Sequence, residues 1–115
     1  MAYFENLEWG LTYEKRSLAL YASSKEALKG QSSPIIFIGG VHGDEPEGVE
    51  LAKKTLSWLQ SESYQKHPGP KPSWILVPCL NLYGYLQNRR VNAQGIDLNR
   101  NFPSKNWQSS LTRYR

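Results

Sequence analysis

Cysteine and methionine each occur once in these 115 residues and histidine twice, and no apolar run approaches the ~20 residues that cross a bilayer. A membrane-spanning helix is therefore not expected. The lone Cys79 has no internal disulfide partner, and its place in the run SWILVPCL (residues 73–80) predicts a small buried side chain. The opening stretch MAYFENLEWGLTYEKR puts acids ahead of bases and has no apolar centre, which argues against a secretory signal and makes a cytoplasmic location the expectation. Charge of one sign is not concentrated either. The formal net charge is +4, but the 14 basic residues are scattered among ten acids, so nucleic acid is not an expected partner. The tightest basic group, Arg89, Arg90 and Arg100, lies among asparagines rather than among lysines and stacking aromatics.

At this length the chain makes one domain at most, and folding hides only about two thirds of the unfolded surface. The segment SLALYA, Ser17–Ala22, has strand content, and residues 34–38 (PIIFI) form a continuous apolar run closed by Gly39 and Gly40. Such a run predicts a strand buried on both faces of a parallel or mixed sheet. Between them SSKEALKGQSS reads as a short helical turn and a linker. A helix over about 46–60 is predicted, with Asp44 as N-cap, Pro46 in the first turn and Glu45, Glu47 and Glu50 at its positive end. Val49, Ala52, Leu56 and Leu59 give that helix one apolar stripe, with Lys53, Lys54 and Ser57 facing water. Three prolines in residues 68–72 interrupt the chain, and a further strand follows over 74–80. Residues 81–103 read as irregular or short-stranded. The fold class expected is α/β, a mixed, partly parallel sheet flanked by helices, with chemistry on the loops leaving its strands.

Two constellations carry that chemistry. His42 and Glu45, three positions apart on a glycine-rich loop leaving a strand, can turn an imidazole nitrogen and a carboxylate oxygen toward one zinc ion. Taken alone, a histidine and a glutamate at this spacing are more often a loop residue and a helix-start charge. The preceding strand and double glycine favour the metal reading. The second constellation is NRRVNAQGIDLNRNFP, residues 88–103, whose three arginines and several amides suit an anionic group or a developing oxyanion. A polar surface loop is the plain alternative. Asp97 has three readings: holding an arginine, supporting a ligating histidine, or a structural pairing.

The order strand, GGVHGDE, helix, apolar strand, NLYG, RVNAQGIDLNRNFP resembles the zinc carboxypeptidases, most closely their murein-peptide amidase-like branch, over roughly residues 35–107. The resemblance implies Zn2+ as cofactor with His42 and Glu45 as ligands. It implies that Asn99 and Arg100 bind the substrate's terminal carboxylate and that Arg90 polarises the scissile carbonyl, with Arg89 as competitor. NLYG stands where the family has asparagine, proline, aspartate, glycine. The family's third ligand, a histidine, its glutamate base and a substrate-facing tyrosine come after the asparagine-arginine pair. No histidine or acid follows Asp97 here, and His67 precedes the motif in the proline loop. Residues 1–115 are thus expected to be the N-terminal part of one zinc-peptidase-like domain, inactive alone. The expected reaction is hydrolysis of a peptide or amide bond beside a free carboxylate. The expected partners are a peptide with that carboxylate, and either self-association or pairing with a missing C-terminal half. The alternative is a non-catalytic carboxylate- or peptide-binding module.

Overall fold

The computed structural model describes residues 3–30 and 32–109. Four strands, β1 (Phe4–Leu11), β2 (Ser17–Ala22), β3 (Ile35–Ile38) and β4 (Trp74–Val77), form one sheet in the order β1-β2-β4-β3. β1 pairs with β2 and β2 with β4 antiparallel, whereas β3 runs parallel to β4 with Ile36 opposite Ile75 and Ile38 opposite Val77. The sheet is therefore mixed and partly parallel, as expected. Helix α1 (Pro46–Leu59) connects the two parallel strands, followed by a short α2 (Glu62–Lys66) before the proline loop.

The predicted stripe is the one α1 buries: Val49, Ala52, Leu56 and Leu59. Leu56 and Leu59 cluster with Trp74 and Leu76 of β4, and Phe37 and Tyr21 pack against that group. Each fully buried side chain of this size stabilises the fold by about 1.5–3 kcal/mol. Leu20, Ala22 and Val77 gather on the sheet's other face, covered by Ala27 from a 3-10 turn at Lys25–Lys29 that Ser24 caps.

Several expectations need correction. β1 is a strand that the sequence reading did not assign, because glutamates and exposed positions hide its alternation and its order comes from pairing with β2. β3 is not buried on both faces. It is the sheet's edge, and Ile35, Ile36 and Ile38 are 48%, 58% and 45% exposed. Apolar content made it a strand, but among the described residues no element covers its outer side. Glu45, not Asp44, is the N-cap of α1, and no side chain caps that end; Pro46 at the first position removes one of the donors a cap would satisfy. Residues 81–103 contain a helix, α3 (Leu82–Gln87), started by the Asn81 side chain accepting from Gly84 N–H at 3.0 Å. Cys79 is half-buried rather than buried.

The loops beyond the parallel strands are tied to each other. Gly39 N–H donates to Val77 O, Leu80 N–H to Gly39 O and Asn81 N–H to Gly40 O, each at 2.9 Å, so the parallel pairing continues past both strand ends. Gly40 has φ +67°, a conformation glycine adopts at no steric cost. Beyond it Gly43 lies against Gly84: a Cβ at Gly43 would land on the Gly84 backbone and the Arg89 carbonyl. Backbone atoms cannot rotate away. Gly43→Ala is expected to destabilise the chain by about 1–3 kcal/mol or more through overpacking. Gly48→Ala, in the first turn of α1 with its nearest neighbour at 3.5 Å, is expected to be neutral or to stabilise by up to about 1 kcal/mol. Urea unfolding of both variants, followed by tryptophan fluorescence, checks the contrast; equal effects would show that the Gly43 contact does not hold the loops.

Candidate metal and carboxylate site

The parallel pair β3 and β4 delivers two loops side by side at their carboxyl ends, the place where open α/β sheets build sites. The loop after β3 carries His42 and Glu45. The chain after β4 passes through α3 and returns with Arg90, Asp97, Asn99 and Arg100.

Asp97 joins the two. It is 2% exposed, and its Oδ1 lies 2.9 Å from His42 Nε2 and accepts the Asn99 N–H at 2.9 Å. Its Oδ2 accepts from Arg90 Nε, also at 2.9 Å. Burial by itself pushes the Asp97 carboxyl up. The hydrogen bonds from His42, Arg90 and the Asn99 N–H, with the Arg90 charge, outweigh burial and hold it below the usual carboxylate range. An ionised Asp97 only accepts, so the hydrogen-bond network assigns the shared proton to His42 Nε2. That leaves Nδ1 as the ring atom for other work.

Nδ1 faces Glu45 Oε2 at 2.9 Å. Two donors each about 2.0–2.2 Å from one zinc ion sit roughly 3 Å apart, so the pair already has the spacing a shared ion needs. A histidine backed by a carboxylate at its second nitrogen is the usual arrangement of a metal-ligating imidazole. The donor set is a pair only: among the described residues no group of three histidine, cysteine, aspartate or glutamate side chains is placed to hold a metal. His67 does not join it; its Nδ1 lies 2.9 Å from the Pro68 carbonyl in the loop after α2.

His42, Glu45, Gly40, Ile38 and Asn99 line a cavity of about 310 Å3. Arg100 does not line it. Arg100 is exposed, donates from Nη1 to Asn99 O at 3.1 Å, and lines a neighbouring cavity of about 310 Å3 with Phe102 and Trp107, of which Asn99 is the shared wall. Of the two candidate arginines, Arg90 engages Asp97, whereas Arg89 points to the Tyr83 hydroxyl at 3.5 Å. A larger cavity of about 480 Å3 lies between the β1–β2 hairpin and residues 92–102, away from the His42 and Glu45 pair; its walls, including Leu18, Leu80 and Leu82, offer no metal-binding cluster. Sequence reading singled out the pair and the arginines but missed Asn81. The available signal was an asparagine directly ahead of a short apolar segment, a favoured N-cap pattern.

Residues 4–115 match the zinc carboxypeptidase family. The chain is 38% identical to carboxypeptidase SOL1 of Arabidopsis thaliana over 74 residues, covering 60% of this chain and 15% of that protein. It is 36% identical to murein peptide amidase A of Escherichia coli (strain K12) over 80 residues, covering 70% of this chain and 30% of that protein. Among solved structures, carboxypeptidase A of Helicoverpa armigera superposes with TM-score 0.64 at 23% identity, over 95% of this chain and 30% of that one. An aspartoacylase family protein of Mesorhizobium loti gives TM-score 0.64 at 24% identity, over 97% and 34%. These two establish the fold. The chain thus spans less than a third of the length of either curated relative.

Cys79, whose sulfur lies close to Gly40 in this region, has its thiol pushed up to about 11, chiefly by burial and against the opposing charge of Lys53. The folded state therefore favours the protonated thiol, and stability is lost as pH rises from the ordinary value of 9.0 toward 11. Alkylation of Cys79 at pH 8 is expected to run about a hundredfold slower than in the urea-unfolded chain. Iodoacetamide kinetics followed by mass spectrometry check this, and equal rates in the two states would contradict it.

Proposed function

Because the chain belongs to the zinc carboxypeptidase family, we propose that it supplies His42 and Glu45 as two ligands of a zinc site that serves hydrolysis of a peptide or amide bond beside a free carboxylate. The observation that carries this reading is the line Glu45, His42, Asp97, Arg90, each neighbouring pair 2.9 Å apart, in which one carboxylate orients both the imidazole and the guanidinium. Zinc, when bound, supplies a Lewis acid and lowers the pKa of a bound water. The chain's own residues do the rest. Asp97 fixes the proton on His42 Nε2 and presents Nδ1. Arg90, held through Nε, is the donor for an oxygen that gains negative charge at the reacting carbonyl. Asn99 and Arg100 grip the substrate's carboxylate, Asn99 from the wall it shares with the metal cavity and Arg100 from the next cavity.

Two ligands fall short of the three protein ligands of a catalytic zinc site. On this proposal the remaining ligand and the general base come from polypeptide outside these 115 residues. The half-buried, thiol-form Cys79 is compatible with the cytoplasmic location that the sequence suggests. The donor count also favours a second reading, a non-catalytic carboxylate-binding module. That module would bind carboxylate peptides through Arg100 and hold no zinc.

Zinc titration by calorimetry separates the two. The metal reading expects one site, lost in His42→Ala and Glu45→Ala, with affinity reduced about 10–100-fold in Asp97→Asn because the orienting carboxylate is gone. Zinc binding indifferent to all three substitutions would refute it.

The sheet's two edges differ in chemistry. β1 carries Glu5, Glu8 and a register shift between Asn6 and Gly10, features that discourage further pairing. β3 carries four apolar residues and no charge. We propose that β3 pairs with another strand, either from the rest of such a domain or from a second copy. Light scattering of the isolated chain is expected to show association at micromolar concentration that Ile36→Lys weakens and Leu7→Lys on β1 does not. A single sharp monomer with cooperative unfolding would count against an open β3.

A further inference from the structure

Asn81 is 3% exposed, and its hydrogen-bonding groups reach three segments of the chain. Its N–H donates to Gly40 O at 2.9 Å, on the loop that carries His42. Its carbonyl accepts from Tyr85 N–H at 3.0 Å and its side-chain Oδ1 from Gly84 N–H at 3.0 Å, both within α3. Its Nδ2 donates to the backbone carbonyl of Arg90 at 3.2 Å. The amide orientation is fixed by these neighbours, because Gly84 offers a donor and Arg90 an acceptor.

Capping α3 needs only the oxygen, and aspartate or serine caps as well as asparagine. The amide nitrogen does something a cap does not require. We infer that Asn81 is a positioning residue for Arg90, tethering the arginine's backbone while Asp97 tethers its Nε. An arginine held only near its tip keeps the freedom of its backbone and stem. Held at both ends, its guanidinium keeps one direction, and small misplacements of such groups are costly to catalysis. Gly84 permits the approach, since a Cβ there would stand 2.5 Å from Asn81 Nδ2 and from the Arg89 carbonyl and 2.8 Å from the Val91 carbonyl. Asn81 thus holds the metal loop by its N–H and the arginine loop by its side chain, setting the two constellations against each other. The functional meaning rests on the proposed role of Arg90; the tether itself does not.

The test uses nitrogen NMR of the 115-residue chain with Ile36→Lys as the parent background, which weakens association through β3. Asn81→Asp and Asn81→Ser keep a capping oxygen and lose the amide donor, whereas Asn81→Ala loses both. The two cap-competent variants are expected to lose some stability, because the Arg90 carbonyl goes unsatisfied, while Arg90 Nε–H exchanges with solvent at least tenfold faster. Asn81→Ala, which also loses the cap, is expected to melt below Asn81→Ser with Arg90 exchange no faster than in Asn81→Ser. If Arg90 exchange in the cap-competent variants equals the parent's, Asn81 is a cap and the inference fails. It fails equally if Arg90 exchange follows the loss of melting temperature across the three variants rather than the loss of the amide donor. Should the variants not fold, the parent alone decides through the cross-hydrogen-bond coupling between Asn81 Nδ2 and the Arg90 carbonyl carbon, whose absence overturns the tether. Zinc titration is independent of every one of these readouts, so a failed metal site leaves the tether standing and a failed tether leaves the metal site.

Discussion

One buried carboxylate organises this molecule's chemistry. Asp97 would be costly in its setting if it were alone, since burying an unpaired charge costs several kcal/mol. It is not alone: an imidazole, a guanidinium and a backbone N–H converge on its two oxygens. Each of those donors comes from a separate part of the chain or a separate turn of the return loop. The charge is offset by His42, Arg90 and Asn99 together, so the demand for satisfaction at one carboxylate favours one path for some sixty residues.

That requirement is met by backbone contact as well as by side chains. The parallel register of β3 and β4 continues as hydrogen bonds between Gly39, Gly40, Leu80 and Asn81, and the contact of Gly43 with Gly84 then lets the two loops approach to van der Waals distance. A site built this way inherits the rigidity of the sheet. His42, Asp97 and Arg90 are accordingly held by their hydrogen bonds to one another on loops that the sheet fixes.

The sequence disclosed those features that depend on local pattern. The α1 stripe of Val49, Ala52, Leu56 and Leu59 follows from helical spacing, and the glycines around His42 follow from a backbone that must turn tightly. It misjudged what depends on distant cover. Ile35, Ile36 and Ile38 have the composition of an interior strand, but composition reports preference for burial and not whether an element is there to provide it. Residues 82–87 have weak helical character, with a glycine in the middle, and become helical because Asn81 caps them and Gly84 is needed for close packing. Asp97 was open among three roles; the geometry joins two of them, because one carboxylate faces both His42 and Arg90. Such bidentate use is a property of three-dimensional convergence and leaves no trace in spacing.

The open edge at β3 also has a meaning in time. During synthesis β3 leaves the ribosome roughly forty residues before β4, which at about 5–20 residues per second is a wait of roughly 2–8 s. Through that interval four consecutive apolar residues have no described strand to pair with, since β4 is their sole hydrogen-bonded neighbour in the sheet. Leu56 and Leu59 of α1 and Trp74 and Leu76 of β4 together make the cluster on which Phe37 packs, so the strand's inner contacts are complete only once β4 has been made.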